Sequence, residues 1–363
     1  MARTWTTRNY HPGDEQEIIE LWKTVFSEGE HERAELDYWK WQFVNGPAGS
    51  GKIKVAVDNG KIVGQYAVVP LHMQLQGTPV VAALSLDTMT HPDYRRQGMF
   101  SILANELYTQ LREGNIPITY GFPNENSLGG FVTKLQWTHV CTLPVYIKPI
   151  HLGTIVERAI SNRWLGKAAK PFANLAGAAV FRKSGPSSET VGQFQWLEHF
   201  DQRANELWQR AYHQGKIAIT RDSKYLNWRY FDNPKRDYRA IAFEEDSELI
   251  AYAVVRVMEQ YGLQGVMIME LVSQPDRYDT LQAVLKAVSD YCIELNADLI
   301  ACMAHGDDDL INLLKRNGFI LPPSKFSMKD WYFGGRVNNH SIDLQVINQP
   351  DNWYLTFGDT DII

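Results

Sequence analysis

Two hydrophobic patterns follow each other near the middle of the first half of the chain. The residues from 84 to 90 predict a β-strand, with one face formed by Leu84, Leu86, Thr88 and Thr90. Pro92 ends this strand, because proline has no amide hydrogen to donate. From about Met99 to Gly114 the apolar residues recur every three or four positions, as in one face of a helix: Phe100, Leu103, Leu107 and Leu111. The patterns together predict a strand, a short loop and a helix in series.

Similar patterns predict the surrounding elements. A helix capped at 13–14 carries an apolar stripe of Ile18, Leu21, Trp22 and Val25. A hairpin is predicted from strands 53–57 and 62–69 around the turn at 58–60. A buried strand over 116–122, a loop over 123–127, a short helix over 130–135 and a strand over 137–143 follow.

The loop between the central strand and helix is suited to an anion. Its sequence is Arg95-Arg96-Gln97-Gly98. The free amides and dipole of a helix N-terminus attract negative charge, glycine lets a phosphate approach the backbone, and arginine donates to phosphate oxygens. An ordinary strand–turn–helix with a solvated arginine pair explains the same residues. The spacing alone leaves both interpretations open.

Length and composition restrict the class of protein. The chain has 363 residues with 44% hydrophobic and 21% charged residues, which fits a globular protein of two domains. The net charge of −6 argues against nucleic acid as a partner. Only three cysteines occur, without metal-ligand spacing, so we expect no metal site and a reducing compartment. With no apolar signal core and no run of 18 apolar residues, we expect a cytoplasmic location.

The region 150–190 separates two similar halves. Six basic residues and one acidic residue lie between 150 and 183. Contact with an anionic membrane surface is one interpretation of this stretch, but a solvated pair of inter-domain helices is favoured. The run SGPSSE at 184–189 is typical of a linker.

The second half repeats landmarks of the first in the same order. Tyr38 and Pro47 bound a segment matched by Tyr225 to Pro234, 187 residues later, and the tetrapeptide at 66–69 recurs at 252–255. Such repetition predicts two copies of one fold. The second copy lacks a glycine in the loop at 276–279 and has acidic residues there, which would repel a phosphate. We therefore expect one anion site, in the first half.

On these residues the chain resembles the GCN5-related N-acetyltransferase (GNAT) superfamily in a tandem, two-domain form. The resemblance implies an α/β (α+β) fold of two GNAT-like domains, each with a mixed, mostly antiparallel central sheet flanked by helices. It divides the chain into an N-terminal domain with the acyl-CoA site (1–149), a helical basic linker (150–190) and a degenerate C-terminal domain with a tail (191–363). The loop is similar to the family's pyrophosphate loop, so the resemblance implies an acyl-CoA, most simply acetyl-CoA, as cofactor. The residues implied to bind it are Thr88, Met89, Thr90, Arg95, Arg96, Gln97, Gly98, Met99, Phe100, Ser101, Asn126 and Ser127.

The chain departs from the family pattern in two places. Phe100 stands where the loop usually has a small residue, and Val132 stands where many members place a proton-donating tyrosine. The proton donor is therefore unassigned. For the base that accepts the proton of the amine, the candidates are Asp87, then Glu125, then the terminal carboxylate of Ile363, which some tandem members bring into the site.

The expected activity is direct transfer of an acyl group, most simply acetyl, from acyl-CoA to a small-molecule amine or amino sugar. Aminoacyl transfer to a peptidoglycan precursor also uses paired copies of this fold, but the intact loop at Gly98 speaks against it. A non-catalytic binding or scaffold protein is the third alternative, favoured by Val132. The sequence identifies neither the acceptor nor the oligomeric state.

Overall fold

A computed structural model describes residues 4–26, 31–159, 167, 169–175, 177, 192–211, 215–260, 262–275, 277–322, 330–339 and 342–360. The helices of the first half confirm the periodicity: α1 (Glu15–Val25), α2 (Leu36–Phe43), α3 (Met99–Glu113), α4 (Glu125–Leu135) and α5 (Leu152–Ala159). Those of the second half are α6 (Gln202–Ala211), α7 (Ser223–Leu226), α8 (Tyr278–Glu294), α9 (Asp308–Arg316) and α10 (Leu344–Asn348).

The strands form two mixed sheets. Those of the first half are β1 (Thr6–Asn9), β2 (Lys52–Asp58), β3 (Lys61–Leu75), β4 (Thr78–Thr90), β5 (Ile118–Gly121), β6 (Thr138–Leu143) and β7 (Val145–Pro149). Those of the second half are β8 (Gln193–Leu197), β9 (Ile217–Ile219), β10 (Arg239–Glu245), β11 (Glu248–Gln260), β12 (Leu263–Ser273), β13 (Leu299–His305), β14 (Trp331–Val337) and β15 (Leu355–Thr356).

Each sheet is mostly antiparallel, with one parallel pair. The first sheet has the order β1-β2-β3-β4-β5-β14-β6, and only β4 and β5 are parallel in it. The second has the order β15-β13-β12-β11-β10-β8, and only β12 and β13 are parallel. Helices α1 and α2 share a buried cluster with one face of the first sheet, and α3 packs on the other. This arrangement confirms the expected fold of two tandem GNAT-like domains.

The halves exchange strands. Strand β14 of the second half lies between β5 and β6 of the first sheet, whereas β7 of the first half pairs with β13 of the second sheet. Strand β9 also joins the first sheet, next to the end of β3. The boundaries 1–149 and 191–363 stay a prediction, and each sheet includes at least one strand from across them.

The repeated sequence segments meet at the interface. The indole Nε1 of Trp41 donates to the carbonyl oxygen of Trp228 at 2.6 Å, and Nε1 of Trp228 donates to the carbonyl oxygen of Trp41 at 3.1 Å. The two rings stack with centroids 5.0 Å apart. These two residues occupy equivalent positions of the repeat, so their reciprocal bonds place a pseudo-twofold axis between the halves.

The basic stretch 150–183 is described only in part, by α5 and a few residues between 167 and 177. There the Lys170 ammonium lies 3.0 Å from the Glu157 carboxylate. No helix among the described residues has the length and apolar character needed to cross a bilayer.

Candidate functional site

The loop before α3 has the backbone of an anion cradle. Arg96 and Gly98 both adopt left-handed conformations, with φ of 63° and 77°, and Gly98 is the N-cap of α3. A Cβ placed on Gly98 would approach only the Ile102 Cδ1 atom, at 4.0 Å. The space above this glycine is therefore open, so a ligand can reach the backbone there.

The first amides of α3 are available to such a ligand. No side chain of the described residues caps Gly98, and helical pairing resumes with the amide of Ile102 donating to the Gly98 carbonyl at 3.1 Å. Arg95, Arg96 and Gln97 are exposed. The Gln97 side chain is fixed because its Oε1 accepts a 2.9 Å hydrogen bond from the Trp5 indole. Free amides and nearby guanidinium groups together favour a phosphate.

Phe100, the departure from the family loop, turns into the protein. Its ring meets Phe131 of α4 edge to face, with centroids 5.3 Å apart. A Cβ on Gly130 would lie 3.5 Å from the Phe100 ring, an ordinary van der Waals contact, so the ring packs directly against this turn of α4. The aromatic residue therefore packs α3 on α4 and leaves the amide side of the loop open.

The parallel strands β4 and β5 separate beside this loop. They pair only at Ala83–Thr119 and Leu84–Tyr120, although β4 continues to Thr90. From 85 to 90, β4 has a strand neighbour only on the β3 side in the described sheet. An extended ligand can use such an open strand edge for backbone hydrogen bonds.

A β-bulge changes which residues of β4 share a face of the sheet. Two residues, Asp87 and Thr88, lie opposite one residue of β3, and Asp87 has a φ of 46°. Beyond the bulge, Met89 instead of Thr88 shares the core cluster of Leu84 and Leu86. The predicted common face of Leu84, Leu86, Thr88 and Thr90 is therefore wrong, because an inserted residue reverses the alternation. The Thr88 hydroxyl is buried and has no hydrogen-bond partner among the described residues.

Three side chains of the first half bind Asp87. Its Oδ1 accepts a 2.6 Å bond from the Arg33 guanidinium and its Oδ2 a 2.8 Å bond from the Gln42 amide. The Gln65 amide donates to the Asp87 carbonyl at 3.0 Å. Three side chains thus fix the bulge and its carboxylate.

The helix after β5 begins earlier than predicted. The sequence predicts a loop over 123–127, but α4 starts at Glu125. Asn124 accepts from the amide of Ser127, and Ser127 Oγ accepts from the amide of Asn124, both at 3.0 Å. This capping box satisfies free amides at both positions, which explains the early start. Asn126 and Glu125 are exposed in the first turn, whereas the Ser127 hydroxyl is engaged in the cap.

The sequence does not reveal a chain of buried hydroxyl groups on the α3 side of the first sheet. Ser85 Oγ donates to Tyr66 at 3.0 Å, the Tyr66 and Tyr108 hydroxyls lie 2.6 Å apart, and the Trp137 indole donates to Tyr108 at 2.8 Å. Burial raises the pKa of Tyr108 to about 12. The Arg336 guanidinium of β14 covers the Tyr108 ring at 4.0 Å, so a strand from the second half completes this cluster.

The opposite face of β4 meets the end of the described chain. Leu84, Leu86 and Gln42 line a cavity of about 30 Å³ together with Gly358, Asp359 and Thr360. The Arg229 guanidinium donates to the carbonyl oxygens of Gly358 and Thr360 at 3.2 and 2.8 Å. Ile363 lies outside the described residues, so its predicted role stays a prediction.

No group of three or more metal-ligating side chains occurs within the described ranges. Burial raises the pKa of the Cys141 thiol to about 11 and that of Cys302 to about 12, which makes both thiols poor nucleophiles.

Comparison with known proteins finds a family match in the first half of the chain. Residues 6–140 match the model of an acetyltransferase (GNAT) domain. A probable N-acyltransferase of unknown function from Enterococcus faecalis V583 has a similar structure, with 11% sequence identity and a TM-score of 0.66, over 95% of this chain and 74% of that one. A GCN5-related N-acetyltransferase from Anabaena variabilis ATCC 29413 gives 13% identity and a TM-score of 0.61, over 92% and 73%. No curated protein matches the sequence.

The matched domain contains the left-handed glycine at the start of α3, the bulged β4 and the separation of β4 from β5, and the neighbours share the two-sheet fold around it. Residues 6–140 are therefore similar to a GNAT acetyltransferase domain, and the chain as a whole shares the fold of the two solved structures.

Proposed function

We propose that this protein transfers an acyl group, most simply acetyl, from acyl-CoA directly to an amine of a small molecule or amino sugar. The observation that carries the proposal is the open cradle at Gly98, which lies beside the unpaired edge of β4. A diphosphate and an extended amide-containing arm are the two parts of coenzyme A that these features would bind.

The residues present fit such a ligand. A Cβ at Gly98 would project into the open space of the cradle, and the Thr88 hydroxyl is a buried polar group without a partner among the described residues. The amides of 97–101 would hold the diphosphate, with Arg95 and Arg96 adding charge. Backbone groups of 88–90 and the Asn126 side chain would hold the pantetheine arm. When bound, the thioester supplies an acyl carbon that is activated toward a nucleophile.

The chain's own residues would then prepare the amine. An ammonium group must lose a proton before its nitrogen can attack. Asp87 is our first candidate to accept that proton, because it lies at the bulge. Its two oxygens each accept one bond from Arg33 or Gln42, and a carboxylate can accept about four bonds in all. The Asp87 carboxylate can therefore accept further hydrogen bonds, which would bind and orient the amine. The backbone amide of Thr88 or Met89 would donate to the oxyanion that develops on the thioester carbonyl.

Glu125 remains the second candidate base. It is exposed at the start of α4, which leaves its carboxylate free to move toward an acceptor. The Ile363 carboxylate is the third candidate.

The acceptor would enter from the α1–α2 side of the first sheet. The cavity there combines Gln42 and Leu86 of the first half with Trp228 and Thr360 of the second. Because both halves contribute to this wall, we propose that the second half shapes the acceptor site.

The test is calorimetric titration of acetyl-CoA into the purified protein and into Gly98→Glu. The added carboxylate would occupy the cradle and repel the diphosphate, so we expect binding to the wild type and at least about 100-fold weaker binding to the variant. The matched control is Gly215→Glu, because Gly215 also has a left-handed φ, of 88°, and open space around it. Unchanged affinity of Gly98→Glu would refute the assignment of the cradle.

A non-catalytic binding protein is the alternative that one observation favours. Val132 is exposed on α4, at the position where many relatives have the proton-donating tyrosine. Absence of acetyl-CoA binding by the wild type would favour this alternative or aminoacyl transfer. Binding followed by thiol release with a panel of amines would favour transfer to an amine.

A further inference from the structure

We propose that segment 353–360 fills the cleft between β12 and β13 of the second sheet. The equivalent cleft of the first sheet, between β4 and β5, is where the pantetheine arm of acyl-CoA would bind. The comparison with the arm rests on the proposed function. The placement of the segment rests on contacts within the second sheet. The consequence is a protein with two copies of the fold and one cofactor site.

The second sheet separates as the first does. Strands β12 and β13 pair in parallel only from 265–268 to 299–302, although β12 continues to Ser273 and β13 to His305. Beyond this point β15 pairs with the end of β13, where Ala304 lies opposite Thr356 and His305 opposite Leu355. In the first sheet, the equivalent cleft between β4 and β5 holds no such strand among the described residues.

The segment also contacts β12, the other side of the separation. The Thr356 hydroxyl lies 3.2 Å from the carboxylate of Glu270, which is in β12. A Cβ on Gly358 would clash with the Glu270 carboxylate and the Tyr230 hydroxyl. The segment thus spans from β13 to β12 and fills the space between them.

Buried charges hold the segment in place. Arg221 donates to Asp359 at 2.6 Å and lies 3.4 Å from Glu270, and all three side chains are fully buried. The Tyr225 hydroxyl donates to the Gly358 carbonyl at 3.1 Å. Removing one partner of such a buried ion pair leaves a costly unpaired charge, so the segment is a permanent part of the cleft.

Helix α8, which follows β12, has no anion cradle like the one at Gly98. Its N-cap is Arg277, whose guanidinium lies 2.8 Å from Glu245 and 3.7 Å from Asp279. Two carboxylates therefore surround the start of α8, where a diphosphate would have to bind. The filled cleft and the acidic helix start both exclude a second acyl-CoA.

Calorimetry gives the first test, through the stoichiometry of acetyl-CoA binding. We expect one site per chain in the wild type, none in Gly98→Glu and one in Asp279→Arg, which alters the start of α8. Two sites in the wild type, one of which remains in Gly98→Glu, would overturn the inference but not the proposed activity. No binding by the wild type would overturn the proposed function, and the second test would then decide on the segment alone.

The second test is hydrogen exchange measured by mass spectrometry on the full chain without ligand. We expect peptides covering 353–360 to exchange at least about 100-fold more slowly than an unstructured chain. Gly358→Ala should abolish this protection and increase exchange at 303–305, because its Cβ would displace the segment. Gly129→Ala is the matched control, since a Cβ there meets nothing within 4 Å. Unprotected exchange of 353–360 in the wild type would refute the inference.

Discussion

Replacing Arg221 by methionine tests the electrostatic account of segment 353–360. The Arg221 guanidinium is fully buried between Asp359 and Glu270, and burial raises the pKa of Glu270 above its ordinary value. Removing the cation leaves two carboxylates in a water-free environment. Breaking a buried ion pair from one side costs about 3–5 kcal/mol, and we expect a loss of that size in the free energy of unfolding near neutral pH.

The pH dependence of this loss gives a sharper test. A carboxyl group whose pKa is higher in the folded than in the unfolded state contributes stability at low pH, and that contribution is lost as the pH rises through the folded pKa. Without Arg221, the pKa of Glu270 should rise further, so the variant should lose less stability at about pH 5 than at about pH 8.

Urea denaturation followed by tryptophan fluorescence measures both quantities. Arg210→Met is the control, because Arg210 and Glu248 form an exposed ion pair at 3.0 Å and such pairs contribute less than about 1 kcal/mol. A loss below about 1 kcal/mol in Arg221→Met, or an equal loss at both pH values, would refute the reasoning.

Three further outcomes are expected. Trp41→Phe and Trp228→Phe should each lower the unfolding free energy by about 1–2 kcal/mol, because each removes one of the reciprocal hydrogen bonds; urea denaturation that shows no loss in either variant would contradict the pseudo-twofold contact. The Cys141 thiol, with a pKa of about 11, should react with a disulfide reagent at about pH 8 roughly 100-fold more slowly than a thiol of pKa about 9, and faster as the pH rises. Thr88→Val should leave the free protein as stable or up to about 1 kcal/mol more stable, and weaken acetyl-CoA binding about five-fold. A clear loss of stability in that variant would show that the hydroxyl has an internal partner.

Local features of the fold were predictable from sequence because their causes are local. The apolar spacing and the terminal glycine predict α3 from about Met99 to Gly114, and the structure confirms it as Met99–Glu113. The repeated segments around Tyr38 and Tyr225 predict the duplication, and the reciprocal tryptophan bonds show where the two copies meet.

Features that depend on distant residues could not be predicted in this way. The Arg33–Asp87 ion pair joins residues 54 apart in sequence, and no local pattern indicates that the two side chains meet. The bulge at Asp87, by contrast, coincides with a break in the alternation, because Asp87 and Thr88 are consecutive polar residues and the apolar Met89 follows them. The capping box of α4 had a readable signal, since Asn124 and Ser127 have the required spacing.

Because β7 and β14 each pair in the sheet of the other half, the first sheet cannot be completed until the second half has been synthesised. When a ribosome has released residues 1–149, β5 and β6 are both present, but the strand that joins them, 331–337, has not been made. Until then the nascent chain exposes two unpaired strand edges, which are sites of mispairing with other chains. Neither copy can thus finish folding by itself, and a gene cut between them would yield two incomplete sheets.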